Sequence, residues 1–285
     1  MNLNNEDKEL NNENNENHAL NNENVVKIIN DTIKSVLQMS SKEQRDSRTP
    51  DNAADFKTAS CKEGPVLVYP KYRDKKTMDI PETRISEQEL KQIFIASLGG
   101  SKINCFYSVE TPSDKTYNFK SEIPKIDPDG QSALFDLSLY DKNKEIFSHL
   151  EFKCGNVDEF CITKDLLKLS AEPGKGKGKN YFIHIINGFD GRTLKSLTKK
   201  YVGELPTENE DEQTLYETIR EGLSKRIIIY LLVVRNQIKD YGGSKDIPVS
   251  GFFKLVYQNN DLNWKSSWYR YNENNNEFEP CIPQG

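Results

Sequence analysis

The stretch that decides the fold is ALFDLSLYDKNKEIFSHLEFK, residues 133–153. Apolar and polar side chains alternate over residues 133–140, and the alternation returns over residues 146–153 after a short polar turn. A period of two residues is typical of a strand with one buried face. Two such runs joined by a short turn predict a β-hairpin.

The predicted hairpin brings two acids together. A register that pairs Tyr140 with Phe147 puts Asp136 directly opposite Glu151, with their Cβ atoms about 5 Å apart on one face. Lys153 is two residues beyond Glu151 and shares that face. A slip of one residue would move the two acids to opposite faces, so the hypothesis depends on this register.

Two carboxylates this close repel each other unless a cation lies between them. Oxygen ligands from two acids, with water and a substrate phosphate in the remaining positions, suit Mg²⁺ or Mn²⁺. Such an ion can polarise a phosphodiester and lower the pKa of a bound water. An ammonium group beside the ion can offset the charge that develops on the phosphate. The hairpin therefore predicts metal-dependent phosphodiester chemistry.

The surrounding chain predicts a mixed α/β domain. Ser86 and Glu89 form a capping box at the start of a helix over residues 86–99, and a second helix fits residues 162–171. The continuous apolar runs 181–186 and 227–234 predict strands that are buried on both faces. Further strands and helices are predicted over residues 103–110, 116–120, 190–201, 210–223, 251–257 and 264–271. The order of elements predicts an α/β fold (α+β mixed sheet), in which helices flank one sheet of parallel and antiparallel strands.

At this point the sequence resembles a known family. Asp136 and Glu151-Phe152-Lys153, after a helix that starts Ser86-Glu87-Gln88-Glu89, resemble the PD-(D/E)xK nuclease superfamily, the restriction-endonuclease-like fold. The resemblance covers roughly residues 84–186. Phe135 stands where many members carry a proline before the acid, although that proline is often absent in the superfamily.

The resemblance implies a role for each residue of the motif. Asp136 and Glu151 would bind Mg²⁺ or Mn²⁺, with the Phe152 carbonyl in the same shell. Lys153 would position the attacking water molecule. A helix acid such as Glu87 would tune the site or hold a second ion.

Two acids compete for the place of the helix acid. At 100° per residue, Glu87 lies about 60° from Leu90, on the side of Phe94 and so towards the predicted inner face of helix 86–99. Glu89 points the other way and is already used by the capping box. Glu87 is therefore preferred, although both acids also suit the N-terminal turn of any helix.

The function implied is metal-dependent hydrolysis of DNA, most simply as an endonuclease. RNA stays open as a substrate, and a homodimer is favoured because two sites most simply cut two strands. A role in restriction or anti-phage defence is an analogy from the family. The alternative is a catalytically silent nucleic-acid-binding or scaffold protein of the same fold.

Basic residues after the hairpin are candidate contacts for nucleic-acid phosphates. Lys164 and Lys168 are predicted to point outward from helix 162–171, whose apolar side chains face the core. Lys175 and Lys177 lie in the glycine-rich run Gly174–Lys179, which lacks the spacing of a P-loop. A plain solvated helix face and a plain flexible turn are the alternatives for these two groups.

The chain divides into three parts by composition. Residues 1–24 are rich in Asn and Glu and are expected to be disordered. Residues 25–64 predict an amphipathic helix over 25–39 and a polar linker, and residues 65–285 form the nuclease-like α/β domain. The helix could mediate dimerisation, bind another partner or clasp the domain, and the sequence does not separate these.

Charge and cysteine content exclude several classes of protein. The net charge of −5 arises in residues 1–24, which hold six acids and one base, so the rest of the chain sums to zero. A neutral body excludes a broadly basic nucleic-acid coat protein but permits a local basic surface. The five cysteines form no CxxC pair, which argues against a disulfide framework or a zinc ribbon. With no membrane span or signal peptide in the pattern, a cytoplasmic protein is expected.

Overall fold

The computed structural model describes residues 19–39, 71–72, 82–83, 85–172, 174, 178–186, 191–203, 208–233, 251–258, 265–272, 275 and 277–281. Most of the expected tail, the expected linker over 40–64, and both Lys175 and Lys177 lie outside these residues.

The helices and strands follow the predicted order closely. The helices are α1 (Asn22–Met39), α2 (Glu87–Gly100), α3 (Glu159–Ala171), α4 (Gly191–Val202) and α5 (Glu210–Lys225). The first strands are β1 (Lys71–Tyr72), β2 (Glu82–Thr83), β3 (Phe106–Asn118), β4 (Lys125–Ile126), β5 (Gln131–Tyr140) and β6 (Ile146–Cys154). The remaining strands are β7 (Asn180–Ile186), β8 (Ile227–Val233), β9 (Gly251–Gln258), β10 (Lys265–Asn272) and β11 (Glu277–Cys281). None of the described helices is long and apolar enough to cross a membrane.

Nine of these strands form one mixed sheet. Its order is β11-β10-β9-β8-β7-β6-β5-β3-β4, and β1 pairs separately with β2. The strands β6, β7 and β8 run parallel, and the other neighbours are antiparallel. The two apolar runs became β7 and β8, which lie inside the sheet and are almost entirely buried. The predicted mixed sheet flanked by helices is confirmed.

Helices cover both faces of the sheet. Successive residues of β7 divide between two apolar clusters, with Phe182 in one and Tyr181 and Ile183 in the other. Because side chains alternate along a strand, the two clusters lie on opposite faces. The cluster around Phe182 contains side chains of α3, α4 and α5, and the other contains side chains of α1 and α2.

The first helix is part of this domain. It begins three residues before the predicted start, and its apolar stripe packs in the same cluster as α2. The buried side chains of that stripe are Val25, Ile28, Ile29, Ile33 and Val36. The sequence leaves dimerisation, partner binding and clasping of the domain open as roles of this helix. The structure shows that α1 clasps the domain.

Candidate active site

The candidate site lies where β5 and β6 stop pairing. The ladder includes Leu137 opposite Leu150, which is the predicted register, and it ends there. Asp136 and Glu151 are the next residue on each strand, so they flank the point where the two strands part. The predicted pairing of Tyr140 with Phe147 is wrong, because an irregularity after Leu139 pairs Tyr140 with Ile146.

The alternation predicted for residues 133–140 breaks at Asp136. Phe135 packs in the cluster under α3 and stacks on His149, with ring centroids 3.9 Å apart. Leu137, two residues on, packs in the cluster of α1 and α2. A regular strand would keep these two residues on one face. The chain therefore changes face at Asp136, and Glu110 on the neighbouring strand has a positive φ of 51° at the corresponding position.

The carboxylate of Asp136 is held by two donors from different elements. Its Oδ2 accepts the Phe152 N–H at 2.8 Å, which ties it to β6. Its Oδ1 lies 3.1 Å from Lys91 Nζ of α2, and the same ammonium is 2.9 Å from Glu110 Oε1. The carboxylates of Glu110 and Asp136 raise the pKa of Lys91 above its ordinary value, although burial opposes them.

Glu151 is enclosed among buried charges. Its Oε1 lies 2.5 Å from Lys168 Nζ, and Lys168 is 3.0 Å from Asp165 Oδ1. Burial raises the pKa of the Glu151 carboxyl well above its ordinary value, and Asp165 and Asp136 raise it further, while Lys168 opposes them. Lys168 thus lies between two buried acids, Glu151 and Asp165.

The outward position predicted for Lys168 is wrong. Its side chain is only 4% exposed, and three oxygens lie within 3.0 Å of Nζ, from Glu151, Asp165 and the Leu134 carbonyl. An ammonium has three N–H groups, so this one has no donor left for a phosphate. The positive charge of Lys168 is stabilised inside the protein by the carboxylates of Glu151 and Asp165.

Lys153 differs from Lys168 because its donors are only partly used. Its Nζ lies 2.7 Å from Asp165 Oδ2, and Glu87 Oε1 is 3.8 Å away, beyond hydrogen-bond distance. Burial acts to lower the pKa of Lys153, yet Asp165, Glu87 and Glu151 together raise it above its ordinary value. Within the described part of the chain, Asp165 is the one acid within hydrogen-bond distance of this ammonium, which lies at the partly open side of the site.

The two helix acids take different places. Glu89 completes the predicted capping box, since its carboxylate accepts the Ser86 N–H at 2.6 Å. Glu87 faces Lys153. Within the described residues, no three His, Cys, Asp or Glu side chains are grouped so that they could hold a metal ion. The structure thus brings Glu87 to the catalytic lysine candidate and does not group it with Asp136 and Glu151.

The other basic candidates have weaker connections to the site. Lys164 is half-buried, with its Nζ 5.6 Å from the centre of the Phe119 ring. Lys175 and Lys177 fall outside the described residues. His149 is buried, pairs with Ser138 at 2.8 Å and has its pKa lowered to about 4 by burial and by Lys168. The ring is a neutral structural group.

The sequence reasoning missed Lys91 and Asp165, although both left a signal. Lys91 is three residues before Phe94 and seven before Leu98, so it lies on the apolar stripe of α2. Asp165 is three residues after Ile162 and four before Leu169, on the apolar stripe of α3. A charged residue on such a stripe must find a buried partner, and here the partners come from the site.

The donor atoms suit a hard divalent ion. Asp136, Glu151 and the Phe152 carbonyl would supply oxygen ligands only, which is the chemistry that Mg²⁺ and Mn²⁺ prefer. Counting Glu87 and Glu110, five carboxylates face three ammonium groups across the site. The two carboxyl groups in excess of the lysines include the partly exposed Glu87 and Glu110, whose side chains are 37% and 52% exposed.

Comparison of the chain with protein-family models, with curated proteins and with solved structures finds no match. The function is therefore argued from the site itself.

Proposed function

We propose that this protein is a metal-dependent nuclease that hydrolyses phosphodiester bonds of DNA. One observation carries the proposal: Asp136 and Glu151 flank the point where β5 and β6 part, and Lys153 follows Glu151 on β6, with Asp165 as its one close acid among the described residues. A bound Mg²⁺ or Mn²⁺ would polarise the phosphodiester and activate water. Asp136, Glu151 and the Phe152 carbonyl are the groups that would hold it.

In this proposal the protein's own groups have separate tasks. The Phe152 N–H fixes the rotamer of Asp136, so that carboxylate is oriented before any ligand binds. Asp165 and Glu87 keep Lys153 protonated, because they raise its pKa. Lys153 is therefore a donor at neutral pH and not a base. It would orient the attacking water or offset charge on the phosphate.

Substrate and assembly follow from the same proposal. DNA is the proposed substrate and RNA is the second polymer to test. A homodimer is proposed for a double-strand cut, since each chain offers one such site. A role in restriction or defence is proposed by analogy only.

A second candidate function rests on the pairing of the acids with lysines. Glu151 is 2.5 Å from Lys168, and Asp136 is 3.1 Å from Lys91, so both proposed ligands already have cationic partners. Such pairs can stabilise a fold without any metal. They favour a nucleic-acid-binding or scaffold protein that has this architecture but no turnover.

The deciding experiment is cleavage of supercoiled plasmid, single-stranded DNA and RNA with Mg²⁺ or Mn²⁺. Lys153→Ala is expected to lower the rate about a hundredfold or more, in the range typical of a lost catalytic side chain. Lys125→Ala is the matched control, because Lys125 pairs with Asp211 on the surface and its loss should leave the rate unchanged.

Each other outcome has a defined meaning. Metal-dependent cleavage that persists in Lys153→Ala would contradict the assignment of the site. No cleavage of any substrate, together with measurable DNA binding by fluorescence anisotropy, would favour the second candidate function.

A further inference from the structure

Lys168 supplies positive charge at the point where the proposed site would receive a divalent cation. Its Nζ lies 2.5 Å from Glu151 Oε1 and 3.0 Å from Asp165 Oδ1, and its side chain is almost fully buried. Among the described residues, it is the only side chain that forms an ion pair with Glu151. The cation paired with this carboxylate is therefore a side chain of the protein itself.

The other two lysines of the site do not share this position. Lys153 lies against Asp165 and points toward Glu87. Lys91 lies between Glu110 and Asp136, on the side of α2. Of these three lysines, Lys168 alone forms a direct ion pair with Glu151.

Lys168 is also anchored independently of Glu151. Its Nζ donates to the Leu134 carbonyl at 2.8 Å and lies 5.5 Å from the centre of the Phe135 ring. Breaking the pair with Glu151 would leave these contacts and the pair with Asp165 in place. The ammonium would stay within a few ångströms of any cation bound at Glu151, and like charges this close repel strongly in a buried site.

We infer that Lys168 is a built-in counter-ion that competes with divalent cations for Glu151. It neutralises the buried acids in the ion-free protein, and it weakens the affinity of the site for Mg²⁺ or Mn²⁺. The inference rests on the proposed function for the location of the cation site, but not for turnover. The affinity for the metal then depends on how readily the ion pair between Glu151 and Lys168 breaks.

The test is the binding of Mn²⁺ to the full chain, followed by the electron paramagnetic resonance signal of the free ion. Lys168→Met keeps an unbranched side chain that is one atom shorter and removes its charge. It is expected to tighten Mn²⁺ binding about tenfold or more, because the repulsion of a doubly charged ion is removed.

Two matched variants isolate the cause. Lys125→Met makes the same change in total charge at a surface pair with Asp211, and it should leave Mn²⁺ affinity unchanged. Glu151→Gln added to Lys168→Met should abolish the gain, since it removes the carboxylate for which the two cations compete.

A second uncharged variant provides the test if Lys168→Met does not fold. Lys168→Gln keeps an N–H donor for the Leu134 carbonyl while it removes the charge, and it should tighten Mn²⁺ binding in the same direction. Circular dichroism on each variant confirms that the folded proteins are being compared.

The outcomes separate this inference from the proposed nuclease. Equal or weaker Mn²⁺ binding in the folded, uncharged variants would overturn the inference, while binding to the unchanged protein would keep the nuclease proposal. Tighter binding in the variants with none in the unchanged protein would support the inference and favour the non-catalytic function. No binding to any form would overturn the inference and leave the metal-dependent function without support.

Discussion

Asp165 connects the charges of the candidate site to one another. Its two oxygens take separate lysines, with Lys153 2.7 Å from Oδ2 and Lys168 3.0 Å from Oδ1. The carboxyl is buried, which disfavours its charged form, yet the two lysines hold its pKa below the ordinary value. Without this acid, Lys168 would keep Glu151 as its one paired carboxylate among the described side chains, and Lys153 would lose its close one.

Asp165→Asn is therefore expected to destabilise the protein. Removing one partner of a buried ion pair leaves an uncompensated buried charge, and a loss of about 3 kcal/mol in the free energy of unfolding is expected. Urea unfolding followed by circular dichroism measures it. Asp211→Asn removes an acid from the exposed pair with Lys125 and should cost less than about 1 kcal/mol. Equal stabilities for the two variants would contradict a central role for Asp165.

At the scale of residues, the sequence could predict positions that are set within the hairpin but not those that are set by distant contacts. The register that puts Leu137 opposite Leu150 could be predicted from the alternation within one hairpin, whereas the change of face at Asp136 could not. The apolar stripe of Ile162, Leu166 and Leu169 predicts an outward Lys168, whereas its side chain is buried. Two of its buried partners, Glu151 and the Leu134 carbonyl, are 17 and 34 residues away in the sequence, so no local pattern could reveal them.

At the scale of elements, Gly174 and Gly178, on either side of Lys175 and Lys177 in the sequence, have a packing role. Gly174 and Gly178 both lie against the backbone of Phe147 in β6, and a Cβ at either position would overlap the Phe147 carbonyl. Glycine is needed here because a chain segment approaches a strand closely. The glycines thus have a structural reason that does not depend on binding phosphate.

Gly178→Ala tests this close approach. The added methyl group must displace backbone, so a loss of about 2 kcal/mol in the free energy of unfolding is expected. Thermal and urea unfolding measure it. Gly99→Ala in α2 is the control, since a Cβ there meets no atom within 4 Å, and it should be neutral or slightly stabilising. A Gly178→Ala protein as stable as the unchanged one would show that the approach can relax at no cost.

Elements were predictable where the pattern was local, and less so where a distant contact formed them. The strands predicted over 103–110 and 116–120 are one strand, β3, whose register shifts between Pro112 and Thr116. Glu172 spans this shift, because its carboxylate accepts the N–H groups of Asp114 and Lys115 at 2.7 and 2.9 Å. The Asp and Pro between residues 110 and 116 are typical of a turn. The acid that keeps these residues in the sheet is Glu172, which directly follows α3.

The last strand was missed for a related reason. The strand β11 contains Pro280 and pairs only with β10 at the edge of the sheet. Proline lacks an N–H and is usually confined to edge strands. A short run with a proline is therefore a weak strand signal, although the structure can accept it where one side needs no partner.

At the scale of the molecule, α1 joins the N-terminal part of the chain to the sheet that carries the site. Its residues Ile28, Ile29 and Ile33 are buried in the same cluster as Leu90 of α2 and Phe152 of β6. The ends of α2 and β6 supply Glu87 and Lys153. The packing of α1 therefore supports the two elements that form one side of the site.

This packing predicts that α1 cannot be removed as a dispensable extension. Ile29→Ala should lower the free energy of unfolding by about 3 kcal/mol, as expected when a large apolar side chain is removed from a core. Lys27→Ala, an exposed position on the same helix, should change it by less than about 0.5 kcal/mol. Urea unfolding of both variants makes the comparison. If the two were equally stable, α1 would be only loosely attached, and deletion of the helix should then leave a folded domain. If Ile29→Ala alone is destabilised, loss of activity after such a deletion would report unfolding and not a missing functional element.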